Sequence, residues 1–296
     1  MSEFKGFIYA VLSGIVLSIN YTLTKKLLGV FQFSTLVILL FISGTLMTFF
    51  VVLFKYKKIP IDEFLKYKKN IIQAGIFIGF ASLFWAYSIN RLGPATTGFI
   101  TKLSIPFSII LGVLLLHEKL RTKEIVGIII TFIGVIIISY NKDIKVVMTA
   151  IFPITQAMFF SFHSLAVKRI VRKVDIWIIL LGRCLIAMII IMSYNLITGS
   201  LSMPEQVSNF MIFLVIITPF FGIVLNNYFR YTSLKFISLS KNAALASMEP
   251  VMISIMAIIF LGDVMSILKY IGGAVIISGV FVIVYNRKRK KILVSS

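Results

Sequence analysis

The chain has 296 residues, 59% of them hydrophobic, and carries 30 lysines and arginines against 10 acidic residues, a formal net charge of +20. A soluble domain holds roughly 45–50% apolar residues; the excess here lies in long apolar runs over the whole length, which leaves no room for a sizeable soluble domain. The single cysteine, Cys184, excludes an intrachain disulfide, and two histidines, His117 and His163, without a Cys/His cluster argue against a zinc site.

A bilayer core of roughly 30 Å takes about 20 apolar residues per helix. The runs predict an all-α integral membrane protein with ten transmembrane helices, at 4–23, 32–54, 71–90, 95–116, 123–140, 147–167, 176–197, 209–232, 242–261 and 267–286. The first run ends at Asn20 to Lys25 without a small-x-small cleavage site, so it is expected to be a retained helix and not a signal peptide. Gly93-Pro94 separates the third helix from the fourth, Glu118 to Lys123 the fourth from the fifth, and Asn141 to Lys145 the two halves. Arg287 to Lys291 follows the last helix as a stop signal.

Summed over alternate loops, basic residues number 21 on one side and 6 on the other. Basic short loops stay cytoplasmic. Both termini are therefore expected on the cytoplasmic side of the plasma membrane, which requires an even number of helices. The same loops explain the charge as topology signals and anionic-lipid contacts, so no nucleic-acid partner is expected.

The halves resemble each other. Ser18 to Lys26 matches Ser161 to Arg169 at an offset of 143; Tyr87 and Pro106 match Tyr231 and Pro250 at 144; Gly127 and Gly134 match Gly272 and Gly279 at 145. The expected organisation is a first five-helix repeat over 1–140, a second over 146–288, and a basic cytoplasmic tail over 289–296. Five is odd, so the second repeat lies upside down relative to the first. Inverted repeats of this kind build secondary transporters with a midplane site between them.

The stretch from Tyr87 to Glu118 holds a helix, the Gly93-Pro94 turn, a helix with Pro106 and a terminal acidic residue. Its partner runs from Tyr231 through Met248-Glu249-Pro250 to Leu261-Gly262-Asp263 and a glycine-containing last helix. In these features the chain resembles the drug/metabolite transporter superfamily in its ten-helix EamA form. The resemblance implies a metabolite transporter with a central cavity lined by helices of both repeats. The first repeat has Ile105 where the second has Glu249, and Lys102 where the second has Ala246, so a fully symmetric site is not expected.

An ionisable group inside the bilayer is costly and faces the bundle interior or water. Lys102, His163, Arg183 and Glu249 meet that description. At 1.5 Å per residue, Glu249 and Arg183 each lie about 10 Å in from the cytoplasmic side, with His163 nearby and Lys102 roughly 10 Å further out. Glu249 has two readings: an ion pair with Arg183, or a substrate-ammonium or proton-coupling group. Lys102 is expected in the cavity, where it could bind a carboxylate or phosphate. Arg183 reads as snorkelling or pairing with Glu249, His163 as a hydrogen-bonded packing residue, and Arg230 as an inside anchor.

Asn20, Tyr87, Tyr231 and Trp85 complete the candidate substrate-binding set. Interfacial belts account for Trp85, Tyr87, Tyr228 and Tyr231, with stacking of Trp85 or Tyr87 on an aromatic substrate as the minority reading. Pro106 and Pro250, each removing a helix hydrogen bond at equivalent places, are candidate gating positions. Gly75 and Gly79 form a GxxxG packing motif, and the heptad-spaced glycine pairs mark packing faces.

The expected function is secondary transport of a small polar metabolite, an amino acid or related zwitterion or organic ion, by alternating access. The alternatives are a proton-coupled organic-cation exporter using Glu249 and a lipid flippase. No Walker-type loop is present, no cofactor is expected, and one cysteine with two distant histidines gives no basis for an enzyme. The partners are the substrate and the bilayer, and two copies could pair as a homodimer.

Overall fold

The computed structural model describes residues 2–57, 60–116, 122–140, 148–237, 245–263 and 265–293. The predicted break at 141–145, most of that at 118–123, and the predicted helix start at 242 lie outside these residues. The regular structure is helical: α1 Ser2–Leu27, α2 Phe33–Tyr56, α3 Ile61–Lys66, α4 Lys68–Leu92, α5 Pro94–Ile100, α6 Ser104–Leu116, α7 Thr122–Ser139, α8 Ile151–Lys168, α9 Ile176–Thr198, α10 Asn209–Pro219, α11 Asn226–Phe236, α12 Glu249–Leu261 and α13 Ile267–Leu293. Among the described residues seven helices are long and apolar enough to cross a membrane: α1, α2, α4, the α5–α6 stretch, α7, α9 and the α10–α11 stretch. α12 and the 267–283 part of α13 are shorter apolar helices. α8 is 18 residues long, and Gln156, His163 and Lys168 dilute its apolar character.

The predicted boundaries shift by a few residues at most ends. α1 runs past Lys25 and Lys26 to Leu27, and α13 continues to Leu293, through residues expected to form a separate tail. The short α3 was not predicted. Three predicted helices are interrupted, and a proline accounts for each interruption. Pro106 has no N–H for the carbonyl of Lys102, and the chain turns as a 3₁₀ segment at Thr101–Leu103 between α5 and α6. Pro250 has none for Ala246, and α12 starts afresh at Glu249 with proline in its first turn. Pro219 ends α10, and a π turn at Phe220–Leu225 joins it to α11. Gly93, at φ +82, makes the turn before Pro94; the same position closes against Asp263, whose Oδ2 lies 2.8 Å from where a Cβ would stand.

Glycine governs the tightest packing. α7 and α13 cross antiparallel with Gly127 against the carbonyl of Gly279 and Gly134 against that of Gly272. The opposite face of α7 exposes Ile125, Ile129, Ile133 and Ile136 at helical spacing. Gly75 and Gly79 of α4 seat Ile186 and Ile190 of α9, the close approach expected of a GxxxG pair. Both glycine expectations hold.

The remaining contacts follow one scheme. α4 packs antiparallel on α8 through rings such as Phe77–Phe162 (5.0 Å) and Phe80–Phe159 (5.4 Å). α1 packs antiparallel on α11, where Asn226 donates to the carbonyl of Ser13 at 2.9 Å and Ser233 to that of Gly6 at 2.9 Å. α8 also packs on α6 as α1 packs on α12, and α9 on α4 as α10 packs on α2. Each contact becomes another on exchanging the first half for the second. Outside the apolar stretches, Asp175 caps α9 by accepting from the Trp177 N–H at 2.9 Å, and its other oxygen meets Lys55 at 2.6 Å. Partial burial pushes the Asp175 carboxyl up, and these two donors more than offset it, holding the group below its usual range.

Candidate functional site

The scheme leaves a cavity of about 610 Å³ between the halves. Its lining begins at Tyr21 of α1 and Trp85 of α4, whose rings meet edge to face at 5.3 Å. It ends at Lys168 and Arg172, at and beyond the C-terminal end of α8, where both side chains are exposed. Seven of the eight predicted substrate-binding residues line it: Asn20, Trp85, Lys102, His163, Arg183, Tyr231 and Glu249. Tyr87 does not. It packs between Phe33 (5.2 Å) and Phe152 (4.2 Å) with the Arg91 guanidinium over its ring. Pro106 and Pro250 lie outside the lining, each beside the helix break that carries a lining residue, Lys102 or Glu249.

The two proline-broken segments meet at the centre. Glu249, the first residue of α12, accepts from Lys102 Nζ at 2.6 Å through Oε2. Arg230 of α11 donates through Nη2 to Oε1 at 2.9 Å and to Oε2 at 3.3 Å. Lys102 and Glu249 are 8% and 3% exposed. The buried Glu249 carboxylate, held by buried Lys102 and half-buried Arg230, is spared the several-kcal/mol order of penalty of an unpaired buried ion.

This geometry overturns three expectations. Lys102 and Glu249 are in contact and not separated in depth, because Glu249 opens its helix after the break and does not lie several residues inside it. Glu249 pairs with Lys102 and Arg230, not with Arg183. Arg230 is no interfacial anchor: its guanidinium faces Glu249 and stands 5.7 Å from the Phe160 ring centre. Arg230 lies about 9 Å from the observed end of α11 at Phe236 but only about 3 Å from the predicted end at 232, at 1.5 Å per residue, so the depth that singled out Arg183 missed it. Its first-half counterpart, Ala86, gave no paired signal.

Arg183 belongs to a second cluster. Its Nη1 donates to His163 Nε2 at 3.1 Å and to the Tyr231 hydroxyl at 3.3 Å. His163 Nδ1 lies 2.9 Å from the Ala74 carbonyl. A carbonyl only accepts and a guanidinium only donates, so Nδ1 carries the hydrogen and Nε2 is the acceptor. His163 is thereby fixed as the neutral tautomer, as suits a packing residue. Arg183 is 4% exposed, and its Nε has no hydrogen-bond partner among the described residues. Sequence reading also passed over Tyr21 and Gln156; the Gln156 Oε1 is buried on the lining without a hydrogen-bond partner among the described residues. Among the described residues no group of His, Cys, Asp and Glu could hold a metal ion.

Known proteins place this arrangement. A protein of Acidianus ambivalens described as an uncharacterized transporter in the sor 3′ region is 31% identical over 86 residues, 29% of this chain and 34% of that one. An uncharacterized transporter of Methanothermobacter thermautotrophicus is 22% identical over 312 aligned positions, covering 97% of this chain and 88% of its own. A crystal structure at 16% identity superposes with a TM-score of 0.66 over 97% of this chain and 98% of that one, a likeness of fold. The model of the EamA-like transporter family matches twice, at residues 4–140 and 147–285. With both halves matched and a charged cavity between them, this multi-pass membrane chain belongs to the EamA-like transporter family.

Proposed function

We propose that the chain is a secondary transporter that moves a small polar metabolite across the plasma membrane by alternating access. The observation that carries this reading is the cavity: a space of about 610 Å³ between helices of both repeats, mostly apolar in its lining but holding Lys102, Arg183, Arg230 and Glu249. A chamber of that size suits one small ligand. The broken segments at Thr101–Leu103, Phe220–Leu225 and Met248–Glu249 all border it, and interrupted helices at the midplane serve binding and rocking in transporters built from repeats. An organic-cation exporter would need a carboxylate free for the ligand, whereas Lys102 and Arg230 already hold Glu249.

The reading includes ten spans in two inverted sets of five, with both termini cytoplasmic. Antiparallel α7 against α13 and parallel α4 against α9 are what inversion requires of those helices. The basic loop at Lys168 to Lys173 then faces the cytoplasm, together with the exposed lining residues Lys168 and Arg172. Replacing Cys184 with alanine gives a cysteine-free background. A cysteine at Met203 is expected to react with an impermeant maleimide in intact cells, and one at Lys173 only after permeabilisation. The reverse pattern would invert the topology.

Function is tested by counterflow in proteoliposomes against amino acids, organic anions and quaternary ammonium ions. Saturable exchange of at least one amino acid or organic anion is expected. Leak-level flux for the whole panel would overturn the proposal.

A further inference from the structure

We infer that Arg183, flanked by Tyr231 and His163, is an oxyanion-binding subsite, and that the ligand of this cavity carries a carboxylate or phosphate group. The inference rests on the transport reading and narrows its substrate class.

Three observations carry it. The first is charge. Among the described residues the cavity lining holds Lys102, Lys168, Arg172, Arg183 and Arg230 against Glu249 alone. Glu249 is used by Lys102 and Arg230, so the remaining cations are uncompensated within the lining. A lining of one sign with low-dielectric walls concentrates ligands of the opposite sign.

The second is burial. Arg183 is 4% exposed and meets no carboxylate among the described residues; its contacts are a neutral imidazole nitrogen and a phenol oxygen. A buried guanidinium without a counter-ion is costly unless something anionic arrives. Its Nε is also without a hydrogen bond. That nitrogen is sealed from the cavity; what recommends the group is its planar guanidinium, whose shape suits a carboxylate or phosphate.

The third is positioning. His163 is pinned by Ala74 so that Nε2 accepts from Nη1, and the Tyr231 hydroxyl, having accepted from the same nitrogen, keeps its own hydrogen to donate. The guanidinium is thus held by neutral partners that leave its charge intact, with a hydroxyl donor beside it. Exposed Lys168 and Arg172 add positive charge to the same lining. Lys102, the cation the sequence suggested for this task, is occupied by Glu249.

The test uses purified full-length protein and thermal shift at constant ionic strength, titrating sodium succinate or inorganic phosphate in place of chloride. A short-chain phosphatidic acid in a third arm distinguishes a lipid headgroup from a free anion. The wild type is expected to be stabilised saturably by at least one of the three. Arg183→Gln should weaken that anion's apparent affinity at least tenfold and Arg183→Lys by an intermediate factor, since the charge stays and the fork is lost. Tyr231→Phe should weaken it severalfold while leaving the unliganded melting temperature nearly unchanged. Should Arg183→Gln fail to fold, Arg183→Lys and Tyr231→Phe decide. No anion-specific shift in the wild type, or equal affinity in these variants, would overturn the subsite. Binding lost in Arg183→Gln without any counterflow would leave the subsite standing and sink the transport reading. Robust counterflow of a zwitterion unaffected by Arg183→Gln would do the opposite.

Discussion

Replacing Glu249 with glutamine is expected to destabilise the protein by about 3 kcal/mol, the scale for breaking a buried ion pair from one side, and to reduce transport at least tenfold. Among the described residues Glu249 is the one acidic side chain of the cavity lining, and it pairs with two cations at once. Lys102 Nζ and Arg230 Nη2 both reach its Oε2, which puts them within about 6 Å of each other, a like-charge repulsion on the order of 3 kcal/mol at an effective dielectric of about 20. Lys102→Met should cost clearly less, because Arg230 still holds the carboxylate. Introducing Lys102→Met into the Glu249→Gln protein should then restore part of the lost stability, an opposite-sign coupling readable in a double-mutant cycle. Thermal melts in detergent provide the measurement. If Lys102→Met were as harmful as Glu249→Gln, or if the double variant were the sum of the singles, the three-group cluster would not be the organising feature of the cavity.

The second large effect is expected at the α7–α13 crossing. A Cβ on Gly134 would lie 2.7 Å from the backbone nitrogen of Ile276 and 2.9 Å from the carbonyl oxygen of Gly272, and one on Gly272 would lie 2.6 Å from the backbone nitrogen of Ile138. These neighbours are backbone and cannot rotate away. Alanine at either position should therefore destabilise by about 2 kcal/mol or more, the upper range for overpacking, despite gaining up to about 1 kcal/mol of helix propensity. Leucine at Gly134 should abolish recovery of monodisperse protein. Ile136→Ala, on the exposed face of the same helix at 70% exposure, should change the melting temperature little. Equal melting temperatures for Gly134→Ala and the wild type would mean that the two helices do not meet on their glycine face.

Some of this was legible in the residues alone. Apolar run lengths place the helices, because a bilayer demands a fixed length of apolar chain. The heptad-spaced glycines and the Gly75–Gly79 pair mark packing faces, because only a missing side chain lets two helix backbones approach. Intramembrane charges point to the interior, since lipid offers them no partner. Those rules act along one helix at a time, and they brought seven of eight candidate residues to one cavity.

Partnership is a different kind of fact, and only the tertiary structure decided it. A straight-helix ruler put Lys102 and Glu249 at different depths. The proline breaks at Thr101–Leu103 and before Glu249 end that ruler just where it was needed, and the crossing of the two segments brings the groups to 2.6 Å. Glu249 chose Lys102 and Arg230 over Arg183 because α11 turns Arg230 toward it while the neighbouring Tyr231 turns toward Arg183. Periodicity and composition describe each helix against its solvent. Which charge is left without a partner depends on rotations between helices far apart in sequence, and that is why the site centred on Arg183 appears only once the bundle is assembled.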